Sequence, residues 1–184
     1  IIGLGSMGKR RIRNLQFLGE KNIIGFDLSK ERCLEAQNKY GIEVSDDLKK
    51  IKSTDFDAVI ISTPPHLHGS FIKFVLKNKK HFFVEVATNT DCYKKILKNK
   101  NKNIVMAPSC TFRYFLPIMM LKKFLDENKI GKVLAYTHHM GQYLPDWHPW
   151  EDYREVYFSK KETGACREML PFELIWLNWL MDSS

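Results

Sequence analysis

The sequence predicts an α/β fold built on a doubly wound parallel sheet, and three observations carry that prediction. Roughly the first 105 residues alternate short apolar runs with helical stretches, the pattern of parallel strands joined by right-handed crossovers. Gly3-Leu4-Gly5-Ser6-Met7-Gly8 stands between an apolar run and a helical stretch. An acid, Asp27, closes the next apolar run, about 20 residues on.

The elements follow in order. Residues 1–4 are an apolar strand that ends in glycine. Residues 7–18 read as a helix, with Ile12, Leu15 and Leu18 on one face and Gly19 closing it. Residues 22–27 form a strand, residues 30–40 a helix stopped by Gly41, and residues 42–44 a short strand. Residues 57–62 form a buried strand ended by Pro64-Pro65. A helix over 71–78, a strand over 81–85, a helix over 92–100 and a strand over 104–106 complete the alternation. The texture changes near Pro108. Residues 117–128 predict an apolar helix, 132–140 a strand, 142–159 a long aromatic loop, and 171–181 a helix apolar nearly all round. Pro171 then suits a first-turn position. This second part reads as the start of an α+β domain. The division falls at residues 1–108 and 109–184.

A chain of 184 residues holds one generous domain or two small ones. Hydrophobic residues at 44% and charged residues at 27% argue against disorder, collagen and a coiled coil. No apolar run reaches the ~18–20 residues of a membrane span, and no export signal is visible at the start. No membrane partner is expected. The sequence opens inside an apolar strand without Met, which predicts a piece of a longer protein. Net charge is +8, from 29 Lys plus Arg against 21 Asp plus Glu. Aromatic residues do not interleave with the Lys runs, so the charge reads as solvated surface and no nucleic-acid partner is expected. The cysteines Cys33, Cys92, Cys110 and Cys166 form no CxxC pair, which predicts reduced thiols in a cytoplasmic protein. His66 and His68 form an HxH, and His138-His139 a pair, without a third ligand at metal-site spacing. No metal is expected.

The glycine turn carries the chemistry. Gly3 permits the tight turn, Gly5 lets the backbone approach a pyrophosphate, and Gly8 allows close helix–strand packing. Ser6 and Met7 open a helix whose N-terminus offers free N–H groups to phosphates. The turn thus predicts a dinucleotide-binding Rossmann unit. Asp27 is placed to accept hydrogen bonds from the adenosine ribose, which favours NAD over NADP; Lys30 and Arg32 soften that preference. Lys9, Arg10, Arg11 and Arg13 read as a solvated helix face. Ser62-Thr63-Pro64-Pro65-His66-Leu67-His68 and His81-Phe82-Phe83-Val84-Glu85-Val86-Ala87 end successive strands, where such sheets face their ligand.

Together, GLGSMG, STPPHLH and HFFVE resemble the Gfo/Idh/MocA family in order and spacing. The loop Pro145-Asp146-Trp147-His148-Pro149-Trp150-Glu151-Asp152-Tyr153-Arg154 resembles a subgroup of that family. The resemblance implies a nicotinamide-dependent oxidoreductase acting on a sugar, cyclitol or nucleotide-sugar-like substrate. It implies NAD or NADP lying across Gly3, Gly5, Ser6, Met7, Gly8, Asp27, Thr63, Pro64, His68 and Glu85. It also implies a second domain that serves as an interface in a full-length homo-oligomer. Arg113, Trp147 and Tyr153 are the substrate candidates. Two departures matter. The family tripeptide Glu-Lys-Pro is Glu85-Val86-Ala87 here, and Val86 cannot move a proton. Phe172 and Ile175 fall where the family has His and Asp. Glu173 and His148 remain as catalytic candidates. The alternative is a catalytically degenerate NAD(P)-binding module, a sensor or partner subunit of the same ancestry.

Overall fold

The computed structural model describes residues 1–52, 54–86, 92–98, 103–161 and 163–182. They form two units, Ile1–Ser109 and Cys110–Ser184.

The first unit is built around the opening segment. Ile2 bridges Phe26 on one side and Ile61 on the other, both in parallel. The Ile2 and Ser62 N–H groups donate to the Ile60 and Ile2 carbonyls, each at 2.8 Å. The Gly3 and Phe26 N–H groups donate to the Phe26 and Ile1 carbonyls, also at 2.8 Å. Residues 1–4 are therefore the central strand predicted from the apolar run, shortened because Gly3 turns at φ 91°. Strands β1 (Ile24–Phe26) and β2 (Glu43–Ser45) lie on one side of it. Strands β3 (Ala58–Ile61), β4 (His81–Val84) and β5 (Met106–Pro108) lie on the other. All pair in parallel. The order is β2, β1, the opening segment, β3, β4, β5, which reverses at the opening segment. That reversal is the topological switch point, and sheets of this kind take their ligands outside the carboxyl ends of the strands there.

Helices α1 (Ser6–Phe17) and α2 (Lys30–Tyr40) return the chain between the first strands. Helix α2 carries its own signals: Ser29 caps Arg32 N–H, Lys39 sits in the last turn, and Gly41 closes it at φ 64°. Helices α3 (His68–Lys77) and α4 (Tyr93–Lys98) follow β3 and β4. Ile12 of α1 and Cys33 and Ala36 of α2 join Leu4, Ile23 and Ile42 in one cluster. Ile72 and Val75 of α3 and Ile96 of α4 join Ile2, Phe26, Val59, Ile61, Phe82 and Val84 in another. Two clusters with separate helix sets are what a doubly wound sheet needs. Helix α3 begins three residues earlier than periodicity predicts, because the turn Pro65–Leu67 feeds straight into it.

The second unit contains helices α5 (Leu116–Asp126), α6 (Leu144–Trp147) and α7 (Ala165–Leu180) and single turns at Thr111–Tyr114 and Tyr157–Ser159. Two expectations fail here. Residues 132–140 form no strand, and they are exposed. Among the described residues no strand runs beside them, and extended backbone without a ladder partner gains no hydrogen bonds. Pro171 is interior to α7 rather than in its first turn. The helix starts six residues earlier because Ala165 to Leu170 are mostly strong helix formers and the Arg167 and Glu168 N–H groups close onto the Gly164 carbonyl. Among the described residues no helix is long and apolar enough to cross a membrane.

Candidate functional site

The glycine turn lies at the switch point, and its three glycines meet three different surroundings. A Cβ on Gly3 would meet the Ser62 carbonyl oxygen at 2.7 Å, so the turn presses against the end of β3. A Cβ on Gly8 would meet the Gly3 carbonyl oxygen at 1.8 Å, so α1 folds back onto the turn. Among the described residues, a Cβ on Gly5 would meet nothing within 4 Å. Gly5 is therefore unnecessary for internal packing and leaves space above the backbone. Helix α1 has no side-chain cap and no acid in its first turn, and Ser6 and Met7 are exposed. Its first N–H groups and dipole face that space without an internal anion.

Asp27 follows β1 and is tied to the turn. One carboxylate oxygen accepts from Leu4 N–H at 2.8 Å and the other from Ser29 N–H at 2.9 Å. An ionised carboxylate has about four acceptor sites, so two remain for a ribose diol. Arg32 Nη1 lies 3.7 Å from the same group, and its side chain is 56% exposed. A carboxylate with acceptor sites to spare and a half-exposed cation thus stand together.

Across the switch point, His68 is buried, and its Nε2 lies 2.7 Å from the Thr63 carbonyl. That contact assigns the proton to Nε2. Burial pushes the imidazole below its ordinary pKa, opposed by the Thr63 hydrogen bond and the nearby Glu85 charge. The ring is therefore neutral at pH 7. The buried His68 Nδ1, Ser62 Oγ and Thr63 Oγ1 have no partner among the described residues. Pro64 is half-buried in extended backbone between them. Glu85 directly follows β4 and receives both forks of Arg11, Nε at 2.6 Å and Nη2 at 2.9 Å. The Arg11 guanidinium also lies 4.7 Å from the Phe83 ring centre. Arg11 is thus not the solvated residue expected. It shares a helix face with Gly8, Ile12 and Leu15, a spacing that could have revealed a charge on the buried side. Val86 is half-buried, and Ala87 lies outside the described residues.

The second unit has its own polar centre. Glu173 is buried on α7, where one oxygen accepts from Trp176 Nε1 at 2.7 Å and lies 3.0 Å from His138 Nε2. Its other oxygen has no partner among the described residues. Tyr136 stacks on His138, and partial desolvation with the Glu173 charge pushes the phenol above its ordinary pKa. Sequence reasoning missed His138 as a partner of Glu173 because nothing in their spacing links them. Phe172 packs edge-on against Phe112, 5.1 Å between ring centres. His148 pairs instead with Glu151 at 2.5 Å and stacks on Trp150. Trp147 stacks on Phe158, Arg113 lies over Trp179, and Tyr153 is covered by Arg154. No metal-holding group of His, Cys, Asp and Glu occurs among the described residues.

A glycine turn at a switch point, a free helix N-terminus and an acid at the next strand define the class: a dinucleotide-binding α/β unit. The chain belongs to the Gfo/Idh/MocA oxidoreductase family, whose NAD-binding Rossmann fold matches residues 1–107. It is 30% identical over 122 residues to levoglucosan dehydrogenase of Pseudarthrobacter phenanthrenivorans, covering 64% of this chain and 30% of that protein. It is 29% identical to scyllo-inositol 2-dehydrogenase (NAD(+)) of Bacillus subtilis, covering 74% of this chain and 42% of that protein. A solved levoglucosan dehydrogenase in complex with NADH and levoglucosan superposes with a TM-score of 0.63 at 25% identity, covering 72% of this chain and 40% of that one. The matched stretches cover only 30% to 42% of these relatives. The open space at Gly5 and the unpartnered polar atoms at Ser62, Thr63 and His68 fit the NAD that the family binds.

Proposed function

We propose that the chain is the cofactor-binding part, with the first portion of the substrate domain, of an oxidoreductase acting on a CH–OH group of a sugar, cyclitol or nucleotide-sugar-like compound. The cofactor half rests on one observation: Gly5 leaves space directly above a helix N-terminus while Gly3 and Gly8 are locked by backbone. The substrate class rests on the levoglucosan and inositol dehydrogenases among the relatives. When bound, the nicotinamide supplies a hydride acceptor or donor at C4 of its ring.

The chain's own residues do the rest. The turn and the N–H groups of Ser6 and Met7 hold the pyrophosphate. Asp27 accepts the adenosine ribose hydroxyls. Thr63, Pro64, His68 and Glu85 line the other half of the crevice. Arg113, Trp147 and Tyr153 supply substrate contacts. Oxidation of a CH–OH group sends its hydroxyl proton to a base, a role that falls to Glu173 through its contact with His138, or to His148. Residues 109–184 begin the substrate and oligomerisation domain, and the full-length protein is a homo-oligomer in a reducing, cytoplasmic setting.

The second reading is a binding module that keeps the dinucleotide without turnover. Phe172 favours it, because its aromatic contact with Phe112 occupies the position of the family's acid–base His. NADH formation from NAD over a panel of sugars and cyclitols separates the two. Turnover of any member supports the enzyme. A folded, NADH-binding protein that turns over none, and gains activity from Val86→Lys with Phe172→His, supports the module.

A further inference from the structure

We propose that Arg11 is a cofactor-positioning residue that fixes the Glu85 carboxylate at the nicotinamide end of the crevice. The inference rests on the dinucleotide reading above and extends it to a residue on the helix side of the site. Three contacts hold one guanidinium: two parallel hydrogen bonds to Glu85 and the face of Phe83. Both side chains are largely shielded, 17% exposed for Arg11 and 13% for Glu85. A bidentate, stacked arginine defines a carboxylate's plane, which a lysine in its place would not do.

The position of Glu85 gives this geometry its use. Asp27 stands at the end of β1, on one side of the switch point. A dinucleotide crossing that point lays its second nucleotide over the ends of β3 and β4. Glu85 is the residue after β4, and its own N–H donates to the Ile61 carbonyl of β3 at 3.0 Å. Among the described residues it is the carboxylate found there, close enough to His68 for its charge to act on the ring. Arg11 uses two of its roughly four acceptor sites, and the others are left for ribose hydroxyls. Arg11 also balances a negative charge that would otherwise face a ligand carrying two phosphates. A salt bridge that merely joins α1 to β4 would serve both halves of the ligand equally. A positioning residue serves only one.

Calorimetric titration of the full chain and of Arg11→Ala with ADP and with NADH tests this. ADP fills the adenosine half alone. The expected result is ADP affinity within about twofold of the wild type and NADH affinity weakened about tenfold or more. Arg11→Lys recovers part of the NADH loss by restoring the charge without the fork. Equal loss of both ligands by a folded Arg11→Ala chain, or no loss of NADH, overturns the proposal. Should Arg11→Ala not fold, Glu85→Gln keeps the side-chain shape and gives the same selective NADH loss, and a folded Glu85→Gln chain with unchanged NADH affinity overturns it. A wild-type chain that binds neither ligand overturns the dinucleotide reading and this inference together. Wild-type binding that Arg11→Ala leaves intact overturns this inference alone.

Discussion

The two units satisfy their polar groups by different means. In the first, parallel neighbours saturate the strand backbones, and the functional groups at the strand ends inherit their placement from register: Ile2 against Phe26 and Ile61, then Val84 against Pro108. In the second, aromatic edges and one buried carboxylate do the holding. Phe112, Phe172, Trp176, His138 and Glu173 make contacts set by side-chain shape. Large apolar groups there stay open, Leu134 at 90% exposure and Trp150 at 73%. A sheet transmits local pattern into long-range position. An aromatic cluster does not, since no periodicity in the chain encodes which rings meet.

The sharpest way to break this contrast is within the glycine turn. Gly8→Ala puts a carbon 1.8 Å from the Gly3 carbonyl oxygen, so the backbone must move. A loss of about 3 kcal/mol, the upper end of ordinary overpacking, is expected in urea unfolding. Gly5→Ala has open space and leaves stability within about 0.5 kcal/mol, yet weakens NADH about 100-fold, or about 2.8 kcal/mol of binding. Equal effects of the two on stability would contradict the division of labour between them.

Glu173→Ala probes the other unit. It leaves the Trp176 indole N–H and the His138 ring nitrogen without their acceptor, at a cost of about 2 kcal/mol. All four tryptophans, at 147, 150, 176 and 179, lie in this unit, so tryptophan emission during urea unfolding reports the change there.

The smallest effect is a pH dependence. Burial lowers the folded-state pKa of His68 below its unfolded value of about 6.5. Stability from this group is complete above about pH 6.5 and falls as the pH drops toward the folded value, because the unfolded chain takes up a proton that the folded chain refuses. The limit is about 1.4 kcal/mol per pH unit. Urea midpoints at about pH 7.5 and 5.5 are expected to diverge more for the wild type than for His68→Gln, which keeps a donor for the Thr63 carbonyl.

Much of the first unit was legible. The apolar runs, the turn from Gly3 to Gly8 and Asp27 are local signals, and the strands fell within two residues of their expected places. Arg11 was read as solvated because a charge beside other charges reads as solvent-facing until its helix face is compared with Gly8 and Ile12. The second unit was legible only as helices. The strand expected over 132–140 does not form, because a strand preference counts for little without a neighbour to pair with. Pro171 was read as a helix start because proline is favoured there, whereas Ala165 to Leu170 extend α7 upstream of it. The pairing of Glu173 with His138 spans 35 positions and has no sequence signature.

The central claim is that the turn and Asp27 bind a dinucleotide. Calorimetric titration with NADH of the wild-type chain and of Asp27→Asn, which keeps an oxygen for the Leu4 or Ser29 N–H, tests it most directly. The account predicts micromolar binding by the wild type, weakened about tenfold by the substitution. A folded wild-type chain that binds no NADH, or an Asp27→Asn chain that binds it equally well, would contradict it.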